Sequence, residues 1–454
     1  MEQKQENKMG VMPVNKLLLN MSGPMMISML VQALYNVVDS IFVAKINENA
    51  LTAVSLAFPI QQVLIALGAG MGVGVNALLS KSLGEKDQDM VDRSAMNGIF
   101  LSLINFIIFF IVGLTVIRPF YLSQTDDMEI VGYGIDYLTI VCCCSFGVFF
   151  QFIFERLLQS TGRTFYTMIT QSTGAIINII LDPIFIFGLL GAPELGVKGA
   201  AIATVIGQIV AAILACIINL KVNSDVHISL KGFKPDPGII GRIYSVGFPS
   251  IIMQSIGSVM VYGLNRILIS FSSTATAVFG VYFKLQSFIF MPVFGLNNGL
   301  VPIVAFNYGA QKRSRMIKAS KLAALYAFCI MLCGTIIFQL IPDKLLQLFS
   351  ASDNMLAMGV PALRIISIHF PVAAFCIITG SIFQAVGRAV YSMINSIMRQ
   401  IVVLLPAAYL LSLTGEVNNV WWAFLIAEGM SFMVNAFFLV KTNKDIISKV
   451  ADNV

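Results

Sequence analysis

Charged residues are scarce in this chain, and their scarcity decides its class. Only 11% of the 454 residues are Asp, Glu, Lys or Arg, and 57% are hydrophobic. A soluble globular chain carries about 25% charged residues. So many apolar side chains cannot be hidden in a soluble core, and the bilayer must be their solvent. The composition excludes a soluble enzyme. The net charge of +6 does not indicate nucleic acid, because the basic residues lie in short loops between apolar runs.

Residues that serve catalysis or metal binding are also few. The two histidines, His227 and His369, stand apart in the sequence, and no Ser-Lys pair or metal-ligand cluster accompanies them. The glycines from Gly68 to Gly74 lie in an apolar run without a Lys-Ser/Thr, so they favour close helix approach over phosphate binding. The seven cysteines all fall in apolar runs, where we interpret them as small apolar side chains. We therefore expect no enzyme activity and no cofactor.

Long hydrophobic runs are what the chain has in abundance. Each is long enough to cross a hydrocarbon core of about 30 Å at about 1.5 Å per residue. We predict an all-α membrane protein with about twelve transmembrane helices. The runs lie near residues 17–44, 51–80, 94–118, 130–158, 165–190, 197–222, 240–271, 275–305, 318–341, 357–385, 390–412 and 418–441.

Lysine and arginine are distributed unevenly between the two sides of the predicted membrane segments. With both termini inside, 21 of the 29 fall in inner segments and 5 in outer segments, while Arg266, Lys284 and Arg399 lie within runs. Cytoplasmic loops carry the excess of Lys and Arg in membrane proteins. We therefore predict a multi-pass protein of the inner (cytoplasmic) membrane with both termini cytoplasmic.

An internal repeat divides the runs into two sets of six. The offset from Pro24 to Pro249 is the same as that from the Gln-x-x-Gly-Arg motif at 159–163 to its second copy at 384–388. Transporters built from such repeats hold substrate between their halves and alternate access. Proline removes a helix hydrogen bond, so we predict a kink, mobile or static, in the first helix of each half. The predicted segments are a cytoplasmic N-terminal segment 1–16, an N-lobe 17–222, a cytoplasmic linker 223–239, a C-lobe 240–441 and a cytoplasmic tail 442–454.

Acidic residues inside apolar runs are the candidates for function. Asp39 lies about 9 Å and Asp182 about 12 Å from the outer ends of the first and fifth runs. Asn178 is one helical turn before Asp182 on the same face, and Thr204 lies at a similar depth in the sixth run. These oxygens describe a site for Na⁺, or two acids that share a proton. The alternative is structural, with each Asp hydrogen-bonded to polar neighbours such as Tyr35.

The second half does not repeat this acidic arrangement. The positions that correspond to the two aspartates at the offset of the repeat are Leu264 and Ala407. We therefore expect one ion site, in the first half. Lys284 and Glu428 are interpreted either as an ion pair or as independent residues for snorkelling and helix packing. Glu155 is interpreted either as an interfacial charge or as a cavity residue that faces a cationic substrate.

These motifs resemble those of the MATE (multidrug and toxic compound extrusion) transporters over essentially the full chain. The elements that carry the resemblance are Asp39 in the first helix, Asn178-x-x-x-Asp182-Pro183 in the fifth and Gly199-Ala-Ala-Ile-Ala-Thr204 in the sixth. The two Gln-x-x-Gly-Arg loops fit as well. The chain looks closest to the DinF-like and MepA-like bacterial branches, which keep their acids in the N-terminal half.

The resemblance implies two pseudo-symmetric six-helix lobes facing a V-shaped cavity, in a protein that is a monomer. It implies secondary active export of cationic amphipathic drugs by exchange for H⁺ or Na⁺. The implied partners are these small compounds and the lipid bilayer, without nucleic acid. The runner-up is a lipid-linked saccharide flippase of the same superfamily, although intramembrane acids favour cationic cargo. The implied positions are Asp39, Asn178, Asp182 and Thr204 for the cation, Na⁺ included, and Gln32, Tyr35, Asn36 and Glu155 for the substrate cavity.

Overall fold

Helices make up the fold. The computed structural model describes residues 6–349 and 351–452, and within these ranges each half of the chain repeats a series of long helices. The first half contains α1 (Lys8–Val11), α2 (Val14–Ala44), α3 (Glu48–Gly84), α4 (Gln88–Thr115), α5 (Ile117–Gln124), α6 (Met128–Cys143), α7 (Phe146–Ser160), α8 (Thr164–Phe187) and α9 (Val197–Val222). The second half contains α10 (Pro237–Leu268), α11 (Ser273–Gly309), α12 (Arg313–Leu340), α13 (Pro342–Gln347), α14 (Asp353–Ser367), α15 (Phe370–Ala385), α16 (Ala389–Ile397), a π-helix (Met398–Leu404), α17 (Leu405–Ser412), α18 (Val417–Val420) and α19 (Trp422–Asp445).

Ten helical segments of the described residues are long and apolar enough to cross a membrane, and two of these join neighbouring elements, α16 through α17 and α18 with α19. Two helix pairs cross only as broken spans, α6 with α7 bent by 44° and α14 with α15 bent by 48°, which gives up to twelve crossings. The predicted number of spans is confirmed, but the runs near 130–158 and 357–385 are not single helices. The second break coincides with Pro371 in the first turn of α15, because proline has no N–H to donate.

The internal repeat is visible in the backbone. The bounds of α3 and α4 recur in α11 and α12 at the same offset that separates Pro24 from Pro249. Gly162 (φ 86°) and Gly387 (φ 77°) both adopt left-handed conformations within the repeated Gln-x-x-Gly-Arg motif. Side chains rarely tolerate this region, so the conformation explains why glycine stands at both positions. The two halves are therefore pseudo-symmetric, as predicted.

The chain divides into two compact units whose borders fall within helices. One unit holds the chain up to Met26 together with Pro249 onward, and the other holds Ile27 to Phe248. Helices α2 and α10 run continuously through Pro24 and Pro249, and each contributes residues to both units. The predicted lobes, 17–222 and 240–441, assign each helix to one half only, and they remain predictions, as do the proline kinks.

Small residues bring α8 and α9 into close contact within the unit of residues 27–248. A Cβ atom on Gly207 would lie 2.7 Å from the Gly174 carbonyl oxygen and 3.3 Å from the Asn178 Cβ. A Cβ atom on Gly199 would lie 2.4 Å from the Phe185 carbonyl oxygen. Glycine is required at such an approach. The contact places the polar side chains of the two helices next to each other.

The chain ends meet the start of α12 in the unit that contains Pro249 onward. Arg315 Nη2 donates to the backbone oxygens of Met9 at 3.0 Å and Met12 at 2.7 Å. Asp452 in the tail accepts from the Ser314 N–H at 2.9 Å and also from the Ser314 hydroxyl. Residues 1–5 of the predicted N-terminal segment and 453–454 of the predicted tail lie outside the described residues.

Candidate ion and substrate site

Asn178, Asp182 and Thr204 form one polar group at the contact of α8 with α9. Asn178 and Asp182 are four residues apart on α8, so they share a face. The Asn178 amide hydrogen-bonds to both Asp182 and Thr204 when its nitrogen donates to Asp182 Oδ2 at 3.0 Å. Its oxygen then accepts from the Thr204 backbone N–H at 3.0 Å and from Thr204 Oγ1 at 3.1 Å. The asparagine thus links the carboxyl group to the neighbouring helix.

Asp39 on α2 completes this group. Its carboxyl group and that of Asp182 meet within hydrogen-bonding range. Asp182 has 0% of its surface exposed, and Oδ1 of each aspartate is buried without a hydrogen-bond partner in the described part of the chain. Two carboxylates at this separation repel each other, so a proton or a cation between them stabilises the pair. The structure therefore brings together the four residues that the sequence singled out.

Three further polar side chains stand around the aspartate pair. The Tyr35 hydroxyl interacts with Thr204. Tyr137 on α6 lies near both aspartates, and its hydroxyl accepts from Gln61 Nε2 on α3 at 2.9 Å. The sequence did not single out Tyr137 or Gln61. Their only signal was polarity within apolar runs, which many packing residues share.

The remaining predicted cavity residues occupy two different environments. Gln32 and Asn36 are exposed on α2, and their place in the lining of the substrate cavity stays a prediction. Glu155 on α7 is only 2% exposed, so it is not a charge on the protein surface, and its role in the substrate cavity stays a prediction. Its carboxylate accepts from Gln151 Nε2 at 3.0 Å, Thr170 Oγ1 at 3.0 Å and Gln171 Nε2 at 2.7 Å. These neutral donors satisfy the carboxylate at several positions.

The second half contains a buried ion pair between Arg399 and Glu428 that was not predicted from the sequence. Arg399 Nη1 lies 3.1 Å from Glu428 Oε2, and the Glu428 side chain is 2% exposed. Lys284 is exposed on α11. Of the two interpretations of Lys284 and Glu428, the ion pair between them is therefore wrong, because Arg399 is the partner of Glu428. Arg399 lies on the π-helix, whose register cannot be inferred from a regular helical repeat.

Up to twelve helical crossings in two repeats, with an acid pair buried in one of them, define a helical membrane transporter. The family model described as MatE matches residues 24–184 and 249–410. The chain belongs to this MATE family of transporters. The two matched segments begin at Pro24 and Pro249, the prolines of the internal repeat.

Individual relatives cover nearly the whole chain. The multidrug export protein MepA of Staphylococcus haemolyticus (strain JCSC1435) is 28% identical over 427 residues, covering 94% of this chain and 93% of the relative. MepA of Staphylococcus aureus (strain MRSA252) is 26% identical over 423 residues, covering 92% of each. A solved structure described as the outward-facing conformation of a multidrug resistance MATE family transporter of the MOP superfamily has a TM-score of 0.93 at 27% identity. It covers 99% of this chain and 100% of that chain. The chain is a MepA-like MATE transporter.

Proposed function

We propose that this chain is a secondary active multidrug efflux antiporter. It exports cationic amphipathic compounds in exchange for H⁺ or Na⁺. The observation that carries the proposal is the pair of Asp39 and Asp182, held by Asn178 and Thr204. The names of the similar proteins, multidrug export protein MepA and multidrug resistance MATE family transporter, support drugs as the cargo.

The aspartate pair supplies the coupling step. When it holds a proton or a cation, the repulsion between the two carboxylates disappears, and α2 is drawn towards α8 at Asp39. When the ion leaves, the repulsion returns and this arrangement of α2 is disfavoured. Because α2 belongs to both compact units, its arrangement is the two-state element on which ion and drug both act. Binding of the ion then lowers the affinity for the drug, and binding of the drug lowers the affinity for the ion by the same factor.

The described residues fit either coupling ion. Asp39 Oδ1 and Asp182 Oδ1 are buried acceptors, and Thr204 Oγ1 stands beside them. Na⁺ is held in proteins by hard oxygen ligands such as these. A proton requires only the two carboxyl groups. We further propose that the protein lies in the cytoplasmic membrane with both termini cytoplasmic, on the strength of the Lys and Arg distribution. That it works as a monomer is proposed from the resemblance to the MATE family alone.

The proposal is tested by ethidium efflux from energised cells that express the wild type, Asp39→Asn or Asp182→Asn at equal membrane levels. We expect rapid efflux by the wild type and loss to the background rate in both variants. The matched control is Asp136→Asn, because the Asp136 side chain is 40% exposed and pairs with Lys198 Nζ at 3.3 Å in the same unit. Its efflux should equal that of the wild type.

Two outcomes would contradict parts of this proposal. Full efflux by Asp39→Asn would exclude coupling through the aspartate pair. No ethidium efflux by the wild type would weaken the assignment of drugs and favour the lipid-linked saccharide flippase. Collapse of the proton gradient alone, or of the sodium gradient alone, in wild-type cells then identifies the coupling ion.

A further inference from the structure

The unit that contains Pro249 onward encloses a second group of buried polar side chains, at a distance in sequence from the residues assigned above. Its members come from α11, α15, α16, the π-helix and α19, and every one except Arg399 is less than 9% exposed. We call it the C-terminal polar cluster. It consists of Tyr282, Cys376, Asn395, Arg399, Glu428, Ser431 and Asn435.

Helix α19 supplies the wall of this cluster. Glu428, Ser431 and Asn435 are spaced by three and four residues, so they lie on one helix face. The Cys376 thiol on α15 interacts with all three of them. Asn395 Nδ2 on α16 donates to Ser431 Oγ at 3.0 Å. The polar groups of three helices therefore converge on one place.

Several polar atoms of the cluster have no hydrogen-bond partner among the residues that the structure describes. They are Glu428 Oε1, Asn395 Oδ1, the Tyr282 hydroxyl and both amide atoms of Asn435. Asn435 is 1% exposed and Glu428 is 2% exposed. Buried polar groups in folded proteins are nearly always hydrogen-bonded, and each exception calls for an occupant. This set includes both acceptors and donors.

Charge balance decides which occupant fits. Arg399 neutralises Glu428 in their ion pair, so an added cation or anion would bring an uncompensated charge into a buried site. His369 also faces Glu428, but its Nδ1 is engaged by the Ile366 carbonyl oxygen at 2.5 Å. The occupant must be small and neutral, and it must both donate and accept. Water meets these requirements, since a buried water typically makes about three hydrogen bonds.

We propose that the C-terminal polar cluster is an internal water-binding site. Its waters join Glu428, Asn395, Asn435 and the Tyr282 hydroxyl into one hydrogen-bonded network. Arg399 is the most exposed member of the cluster, with 31% of its side chain accessible, whereas Glu428 is nearly sealed. The π-helix that carries Arg399 has a wider turn than an α-helix, and it packs against α19 beside the ion pair.

Hydroxyl-radical footprinting tests this proposal with the full-length protein in lipid nanodiscs. A synchrotron X-ray pulse generates radicals from bound water, and mass spectrometry measures oxidation of each residue. Cysteine is readily oxidised, so Cys376 is the probe. Cys142 is the control, because it is 0% exposed within an apolar core that includes Leu138 and Phe149. We expect Cys376 to be oxidised about tenfold faster than Cys142, as bound water predicts.

A variant separates bound water from the small residual exposure of Cys376, which is 8%. Asn435→Leu keeps a side chain of similar length but removes the polar partners of the waters. Oxidation of Cys376 should fall to the rate of Cys142 in this variant, while its elution as a single species confirms folding. Equal oxidation of Cys376 and Cys142 in the wild type would overturn the proposal, and that comparison needs no variant. Unchanged Cys376 oxidation in folded Asn435→Leu would overturn it as well.

Discussion

The two halves of the repeat bury polar groups of different charge. The first half holds Asp39 against Asp182 without a cationic side chain among the contacts described for the pair, whereas the second half balances Glu428 with Arg399. At the offset of the repeat, Arg399 corresponds to Gly174 and Glu428 to Ala203. The second half thus places an ion pair at two positions that hold small residues in the first half, where Gly174 is one of the glycines at the contact of α8 with α9. The two halves of the repeat therefore share the bounds of helices such as α3 and α11, but they differ in the charge of their buried side chains.

The largest expected effect comes from breaking the ion pair on one side. Arg399→Met leaves Glu428 buried and unpaired, so we expect a loss of about 3 kcal/mol in the free energy of unfolding. Glu428→Leu should cost less, because the Glu428 side chain is 2% exposed whereas that of Arg399 is 31% exposed, so Arg399 is the less enclosed of the two when it is left unpaired. The double variant should recover most of the loss. Unfolding by SDS titration in detergent micelles measures all three, and a double variant as unstable as Arg399→Met would contradict this account.

A smaller effect is expected from the contact of Gly207 with Gly174, the residue of the first half that corresponds to Arg399. Gly207→Ala puts a Cβ atom 2.7 Å from the Gly174 carbonyl oxygen, which forces α8 away from α9. We expect a loss of about 1–3 kcal/mol in the free energy of unfolding and slower ethidium efflux, because Asn178 and Thr204 are drawn apart.

The matched control for the glycine contact is Gly132→Ala on α6, since a Cβ atom there meets nothing within 4 Å. This variant should leave the free energy of unfolding and the efflux rate unchanged. If Gly207→Ala behaves like Gly132→Ala in both measurements, the close approach of α8 and α9 does not hold the site together.

The smallest effect concerns the segments that cross the starts of α4 and α12. In the first half His227 donates its backbone N–H to Asp92 Oδ1 at 2.8 Å, and the corresponding position in the second half is Asp452, which binds Ser314. Hydrogen bonds from the Ser314 hydroxyl and backbone N–H lower the pKa of Asp452. Because the pKa of Asp452 is lower when the tail is docked, its carboxylate stabilises the docked tail fully above the pKa of Asp in the unfolded chain, about 3.9. This stabilisation is lost as the pH falls through the lower folded value.

Limited proteolysis of the tail between about pH 3 and pH 7 measures this docking with an acid-stable protease. We expect cleavage to increase below about pH 3.9 in the wild type. Asp452→Asn should cleave faster at neutral pH and lose the pH dependence. A tail whose cleavage is independent of pH in the wild type would contradict the role of Asp452.

The sequence predicts what depends on composition and periodicity. The apolar runs locate the spans, and the depths of Asp39 and Asp182 predict that the two meet. The features that it missed depend on contacts between helices far apart in the chain. Arg399 on the π-helix is the partner of Glu428 on α19, and Tyr137 on α6 lies near Asp39 and Asp182 on α2 and α8. Neither arrangement follows from the residues of one helix.

The division of the chain has a consequence for biosynthesis. The unit from Ile27 to Phe248 is complete once its last residue leaves the ribosome, but the residues before it belong to a unit that begins again at Pro249. At roughly 5–20 residues per second, about 10–40 s of translation separate Met26 from the next residue of its own unit. The start of α2 must therefore wait in the membrane for partners not yet synthesised. The first residues to be synthesised are therefore among the last to find their packing partners.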